Sequence, residues 1–258
     1  MSIVLDEYSW AEKMIENNDL GKKPFETLTR VAGYYFKNKY SEAEVEQLLG
    51  NFLIRCDPNI SVVKWADTIN RAIKVASKYP VKVMECVNVT VPELKIVDSL
   101  ASPPLQRLAF TLLCNSKYWN YVCDSEDGWV NTSDKEIMKM ANINTSIRRQ
   151  SQMFATLKEN DLIAYSKRID NLNVRVLYNI PGDTALCITD YRNLGYQYIR
   201  YRGGDCYECE NCGLVLKSKP DQRGPRPKYC PQCAVEMHIK KSADSVKRQR
   251  NILKNANV

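Results

Sequence analysis

The sequence predicts a mainly α protein with small β elements, in three parts. These are an N-terminal helical domain, a mixed domain of helices and a short hairpin, and a C-terminal cysteine module that runs into a basic helical tail. Three observations predict this. Apolar residues recur at helical spacing through residues 24–79. Between 102 and 180 the patterns run helix, strand, helix, helix and hairpin. Five of the ten cysteines then fall in 206–233, CYECENCGLVLKSKPDQRGPRPKYCPQC, where almost nothing else is hydrophobic. The boundaries follow as 1–80 for the helical domain, 81–101 for a connector and 102–182 for the mixed domain. A Tyr-rich helical linker takes 183–205, and the cysteine module with its tail takes 206–258.

The first predicted helix is PFETLTRVAGYYFKNK (24–39). Ser41 with Glu44 three residues later is a capping box, and it opens SEAEVEQLLGNFLIR (41–55) with Val45, Leu48, Leu49 and Phe52 on one face. CDPNIS is a turn, and SVVKWADTINRAIKVASKY (61–79) is a third amphipathic helix that stops before Pro80. The charge here is near balance, which suits a protein contact better than a phosphate contact. Residues 24–78 resemble the small helical domain that follows the catalytic core in many phage and plasmid primases. There too a Ser-x-x-Glu-capped second helix leads through an Asn/Asp-Pro turn to a third. The resemblance implies a replication or mobile-element setting, with a replication or transcription protein as partner of these helices, and carries over no primase activity. In the connector, VKVMECVNVTV alternates like one strand, and Pro92 with Glu93 opens a short helix.

PPLQRLAFTLLCNSKYWNYV is a helix, GWVNT a short strand, and SDKEIMKMANI a helix capped by Ser133. NTSIRRQSQMFATLKENDLI is a third helix with Thr145 as its cap, and AYSKRI and VRVLYNI are strands around the turn DNLN. This order is that of a winged helix, and two segments resemble that family. EIMKMANINTS has its short-helix-and-turn form, and LKENDLIAYSKR its bridge from recognition helix to first wing strand, with Asp161 where a glycine is usual. At about 100° per residue, Ile147, Gln150, Phe154 and Leu157 share the inner side of the third helix, and Thr145, Arg148, Arg149, Gln152 and Thr156 share the outer one. Arg and Gln pair bidentately with guanine and adenine edges in the major groove. Lys167, Arg168 and Arg175 on the hairpin strands are placed for flanking phosphates of double-stranded DNA. The bland alternative is a solvated or protein-docking face, since 102–182 carries ten basic and eight acidic residues up to Gly182.

In the linker ITDYRNLGYQYIRYRGGD, tyrosines alternate with Arg192, Arg200 and Arg202. Such rings either stack on unpaired bases or pack on the neighbouring domain, and packing is the expected outcome. Gly203-Gly204 is expected to hinge the module that follows.

The segment 206–233 is too polar to offset the entropy of ordering its own backbone, so something else must order it. Cys209-x2-Cys212 and Cys230-x2-Cys233, seventeen residues apart, have the spacing of a structural zinc site with one ion. Cys206 also makes a C-x2-C with Cys209. The set Cys209, Cys212, Cys230 and Cys233 is preferred because Gly213 suits the left-handed turn of a knuckle. His238, the single histidine, is expected to face solvent. A disulfide framework is the competing reading, and MSIVLDEYSW, which turns acidic too early for a signal peptide, speaks against it. Cys56, Cys86, Cys114, Cys123 and Cys187 are therefore expected as buried reduced thiols of a cytoplasmic protein.

Residues 199–258 hold thirteen Lys and Arg against six Asp and Glu, whereas 1–198 hold twenty-four of each. The net charge of +7 thus sits in 199–258, the end of the linker with the module and its tail, in which Lys240, Lys241, Lys247, Arg248 and Arg250 are candidates for phosphate contact. No stretch free of Asp, Glu, Lys and Arg exceeds the nine residues Leu108 to Ser116, too short for a membrane span. A Tyr-Cys-x-x-Cys knuckle running into a basic helix resembles the carboxyl ends of many small phage and Gram-positive mobile-element proteins. With the winged helix before it, the C-terminal part is similar to an uncharacterised phage DNA-binding family. The resulting expectation is a non-enzymatic DNA-binding protein in the bacterial cytoplasm, acting in gene regulation or replication-complex assembly. The alternative is an adaptor that docks on replication or transcription machinery.

Overall fold

The computed structural model describes residues 3–166, 174–218 and 224–242. It is mainly helical with small antiparallel sheets, and it divides into two compact units, Met1–Val87 and Asn88–Val258. Among the described residues no helix is long and apolar enough to cross a membrane.

The first unit holds α1 (Glu7–Asn17), α2 (Pro24–Lys37), α3 (Glu42–Cys56) and α4 (Val62–Lys78). Its core is Leu28, Val31, Val45, Leu49, Phe52, Leu53, Ile69 and Ile73. The capping box of α3 is present: the Ser41 hydroxyl accepts from the Glu44 amide, and Glu44 Oε2 accepts from the Ser41 amide at 2.7 Å. Helix α1 has no counterpart in the sequence reading, and only Ala11 among its residues is buried. Polar contacts hold it beside the packing of Trp10 and Ile15 on the core. Asp6 caps it by accepting from the Ser9 amide at 2.9 Å. Glu7 takes Arg30 Nε at 2.9 Å on one oxygen and the Lys82 amide at 2.9 Å on the other. Arg30 is 4% exposed and lies over the Trp10 ring at 5.2 Å, so its charge is buried, paired and stacked.

In the second unit, β1 (Val87–Thr90, its first residue at the division) pairs with β5 (Thr184–Ile188), and α5 (Val91–Asp98) follows β1 directly. The strand expected over 81–91 is thus shorter, because Pro92 and Glu93 start a helix whose capping box with Thr90 ends it. Helix α6 (Pro103–Cys123) is the hub. An unbroken run from Leu108 to Ser116 is buried, so neighbours cover it on every side. Two of the polar side chains this buries are paired: Asn115 Nδ2 donates to Thr111 O at 2.8 Å and its Oδ1 accepts from Thr132, and the Ser116 hydroxyl donates to Leu113 O at 2.8 Å.

Around α6 stand β2 (Trp129–Val130), α7 (Asp134–Met140), α8 (Ile147–Glu159), β3 (Ile163–Tyr165) and β4 (Val174–Val176). The three strands form one antiparallel sheet in the order β2-β4-β3, with Trp129 opposite Arg175 and Ile163 opposite Val176. Ser133 caps α7 as expected. The cap of α8 is Ser146, one residue beyond the expected Thr145. Asp161, in the place of a usual glycine, has φ 54°, a left-handed conformation that a short polar side chain tolerates.

The unit ends with α9 (Leu194–Tyr201), the hairpin β6 (Cys206–Glu208) and β7 (Val215–Lys217), and a helical run over 231–242. Two of the four tyrosines of α9 and its approach pack inward, while Tyr196 is half-buried and Tyr201 is exposed. Tyr191 and Tyr198 are buried, donating to Cys114 O and to the Asp98 carboxylate. Arg192, Arg200 and Arg202 are ion-paired with Asp190, Glu208 and Asp98. The expected glycine hinge is instead a helix stop: Gly203 at φ +76° donates to Arg200 O, and Gly204 donates to Ile199 O, the Schellman pattern. Two expectations about cysteines also change. Cys86 and Cys187 are disulfide-bonded, not reduced thiols, and Cys123 is exposed because it ends α6. Cys114 is buried, and burial pushes its thiol far up.

Candidate metal centre and the exposed face of α8

The β6–β7 hairpin builds the first half of the centre. Its tip is a tight turn in which the Gly213 amide donates to Cys209 O at 2.9 Å and the Cys209 amide to Leu214 O at 3.0 Å. Gly213 sits at φ +69°, the left-handed position expected from the sequence. Cys230 and Cys233 supply the second half from the start of the 231–242 helix, where the Cys233 amide donates to Cys230 Sγ at 3.4 Å. A backbone bond from Glu210 N to Lys228 O, 2.9 Å, ties the halves together.

The four sulfur atoms of Cys209, Cys212, Cys230 and Cys233 all lie within 4.8 Å of one another and can hold a metal ion. The four cysteines are free thiols. Cys212 Sγ and Cys230 Sγ are 3.8 Å apart, far beyond a disulfide bond and equal to the edge of a tetrahedron with metal–sulfur bonds of about 2.3 Å. Burial opposes ionisation of Cys209, but the backbone amides of Cys230, Cys212 and Asn211 bring its thiol down to about 6. Asn211 Nδ2 reaches Cys233 Sγ at 3.3 Å and favours its thiolate, yet burial and the three neighbouring sulfurs hold Cys233 above the usual range. A dication relieves that conflict by supplying the missing positive charge. Cys206 is buried in β6 outside the cluster, and His238 is exposed on the helix.

The structure also ties this centre to α9. Arg192 Nη2 donates to Cys212 O, and Asn193 Nδ2 donates to Val215 O at 2.8 Å. Sequence reasoning missed Arg192, Asn193 and Asn211 as supports of the site. Nothing local marks them, since each acts across a gap in the chain that only folding closes.

On α8 the inward residues are Met153, Phe154 and Leu157. Arg148, Arg149 and Gln152 are exposed, as expected of the outer face, and Thr145 and Thr156 are half-buried. Thr156 returns its hydroxyl to Gln152 O. Ile147, expected inside, is 81% exposed. It lies two turns before Phe154 on the same side, and among the described residues none buries it. Gln150 is half-buried and donates to Thr145 O. Arg175 is exposed on β4 and donates to Asp127 O at 2.7 Å. Lys240 and Lys241 are exposed on the 231–242 helix. Lys167, Arg168, Lys247, Arg248 and Arg250 lie outside the described residues.

No protein-family model matches the chain, and neither a curated protein nor a solved structure matches it.

Proposed function

We propose that this chain is a non-enzymatic DNA-binding protein of phage or mobile-element type, with one structural zinc ion. In this reading α6, β2, α7, α8, β3 and β4 act as a winged helix whose α8 enters the major groove of double-stranded DNA. The observation that carries it is the outward presentation of Arg148, Arg149 and Gln152 on one short helix next to a small antiparallel sheet. These side chains carry the donors that match guanine and adenine edges. The left-handed Asp161 at the junction of α8 and β3 supports the same reading.

Four thiolates at tetrahedral spacing favour zinc among the common metals, since soft sulfur ligands select against magnesium and calcium. A site closed by four protein ligands is structural, and orders a segment that has little core of its own. Lys240 and Lys241, with Lys247, Arg248 and Arg250, supply phosphate contacts, and so do Lys167, Arg168 and Arg175. The role is gene regulation or assembly of a replication complex in the bacterial cytoplasm, with the N-terminal helices as the contact for a replication or transcription protein.

The near-neutral charge of 102–182 favours a second reading, an adaptor that docks on such machinery without touching DNA. Filter binding of the zinc-loaded protein to random duplex at rising salt separates the two. DNA binding gives affinity that falls steeply with salt, and no retention at low salt replaces the first reading with the second.

A further inference from the structure

We propose that metal loading of the four-cysteine centre fixes the turn that aims α8, with Asn193 and Asn142 as the positioning residues. Asn193 is the N-cap residue of α9, where an Asn ordinarily accepts from the helix's own first-turn amides. Its side chain makes no such bond. It donates instead to Val215 O, just past the Cys209–Gly213 knuckle, at 2.8 Å. Its carbonyl oxygen accepts from Asn142 Nδ2 at 3.0 Å. Asn142 lies in the turn between α7 and α8, in the left-handed conformation at φ 54°. Its own oxygen accepts from the Tyr196 amide at 3.1 Å, so the turn caps α9 from outside.

A second observation places the same contact under steric control. A Cβ built on Gly195 would stand 2.0 Å from Ala141 O and 2.5 Å from Ala141 C. The first turn of α9 therefore touches the backbone of the residue before Asn142. On the other side, Arg192 donates to Cys212 O, a carbonyl within the knuckle. The knuckle, the start of α9 and the α7–α8 turn thus form one hydrogen-bonded bridge. A helix that gives up its own cap for such a bridge breaks a local rule for a tertiary gain. Without metal the knuckle loses its order, the bonds to Cys212 O and Val215 O go with it, and the turn loses half of its anchor. The consequence for DNA rests on the reading given under Proposed function; the coupling itself does not.

Hydrogen exchange on the full chain, zinc-loaded and after chelation, tests it. Amides of 139–150 are expected to exchange about ten-fold faster without zinc, with α6 and the helices of the first unit unchanged. Asn193→Asp keeps the acceptor for Asn142 and removes the donor to Val215. Loaded with one zinc per chain, it is expected to show the same fast exchange over 139–150. Asn142→Gly, which suits the left-handed turn, gives the same readout from the other end of the bridge if Asn193→Asp does not load. Full protection of 139–150 after chelation, or in the zinc-loaded variants, overturns the proposal. Equal loss across α6 also overturns it, because the effect is then unfolding and not local coupling. If the exchange result holds while no form binds duplex, the DNA reading falls and the coupling stands.

Discussion

Gly50 and Gly195 lie in helices α3 and α9, and helix propensity makes the same prediction for both: alanine stabilises by about 0.5–1 kcal/mol. The structure separates them. At Gly50 the nearest atom to a new Cβ is Val62 Cγ1 at 3.4 Å, an ordinary van der Waals contact. At Gly195 the new atom would meet Ala141 O at 2.0 Å, and that oxygen is backbone. Relief requires α9 and the α7–α8 turn to part by roughly an ångström. Such overpacking costs about 1–3 kcal/mol, which outweighs the propensity gain and also strains the Asn142–Asn193 bridge. For a chain of this size about 1 kcal/mol moves Tm by roughly 2–4 °C. Gly195→Ala is expected to lower the midpoint of the second unit by several degrees, and Gly50→Ala to raise that of the first slightly. Thermal unfolding followed by circular dichroism, with zinc content measured in parallel, reads both. If Gly195→Ala raises Tm as Gly50→Ala does, the close approach of α9 to Ala141 is wrong, and the bridge argued from it fails too.

Replacing any of Cys209, Cys212, Cys230 or Cys233 with Ser is expected to abolish stoichiometric zinc, while Cys206→Ser keeps one ion per chain; mass spectrometry under native conditions checks both. Arg148→Ala and Gln152→Ala are each expected to cost about 1–3 kcal/mol on a preferred duplex and much less on random duplex. Neutralising Lys240 and Lys241 with Lys247, Arg248 and Arg250 is expected to weaken all duplexes alike. It is also expected to flatten the slope of log K against log salt by about 0.9 for each phosphate no longer neutralised. Binding isotherms at several salt concentrations distinguish the two patterns. Burial opposes ionisation of Asp6, but the Ser9 hydroxyl and amide hold its carboxyl below the usual value of 3.8. The stability of this cap is therefore complete above that value and is lost as pH falls through the lower, folded one. Asp6→Ala is expected to cost about 1 kcal/mol at neutral pH, and its unfolding midpoint is expected to converge on that of the unaltered protein in acid.

The sequence by itself determined the elements whose causes are local. Helices α2, α3 and α4 are written in apolar spacing and in the Ser41–Glu44 box, and α7 in Ser133. Cys209, Cys212 and Gly213 carry one knuckle within five residues and Cys230 and Cys233 the other within four, which is why the ligand set was legible without a fold. Tertiary structure decided what no window of sequence contains. Helix α1 exists because Glu7, Arg30 and the Lys82 amide meet from distant segments. Ile147 is exposed although its period places it on the side of Phe154, because the buried part of α8 begins only at Met153. Gly203 and Gly204 read as a hinge, yet the carbonyls of Arg200 and Ile199 make them a helix stop. Asn193 stands at the N-cap position of α9 but makes no capping bond with its side chain. Asn142, fifty-one residues earlier in the chain, takes over that cap and leaves Asn193 to join the α7–α8 turn to the metal knuckle. A local pattern specifies which bonds a residue is able to make, and only the approach of distant backbone selects among them.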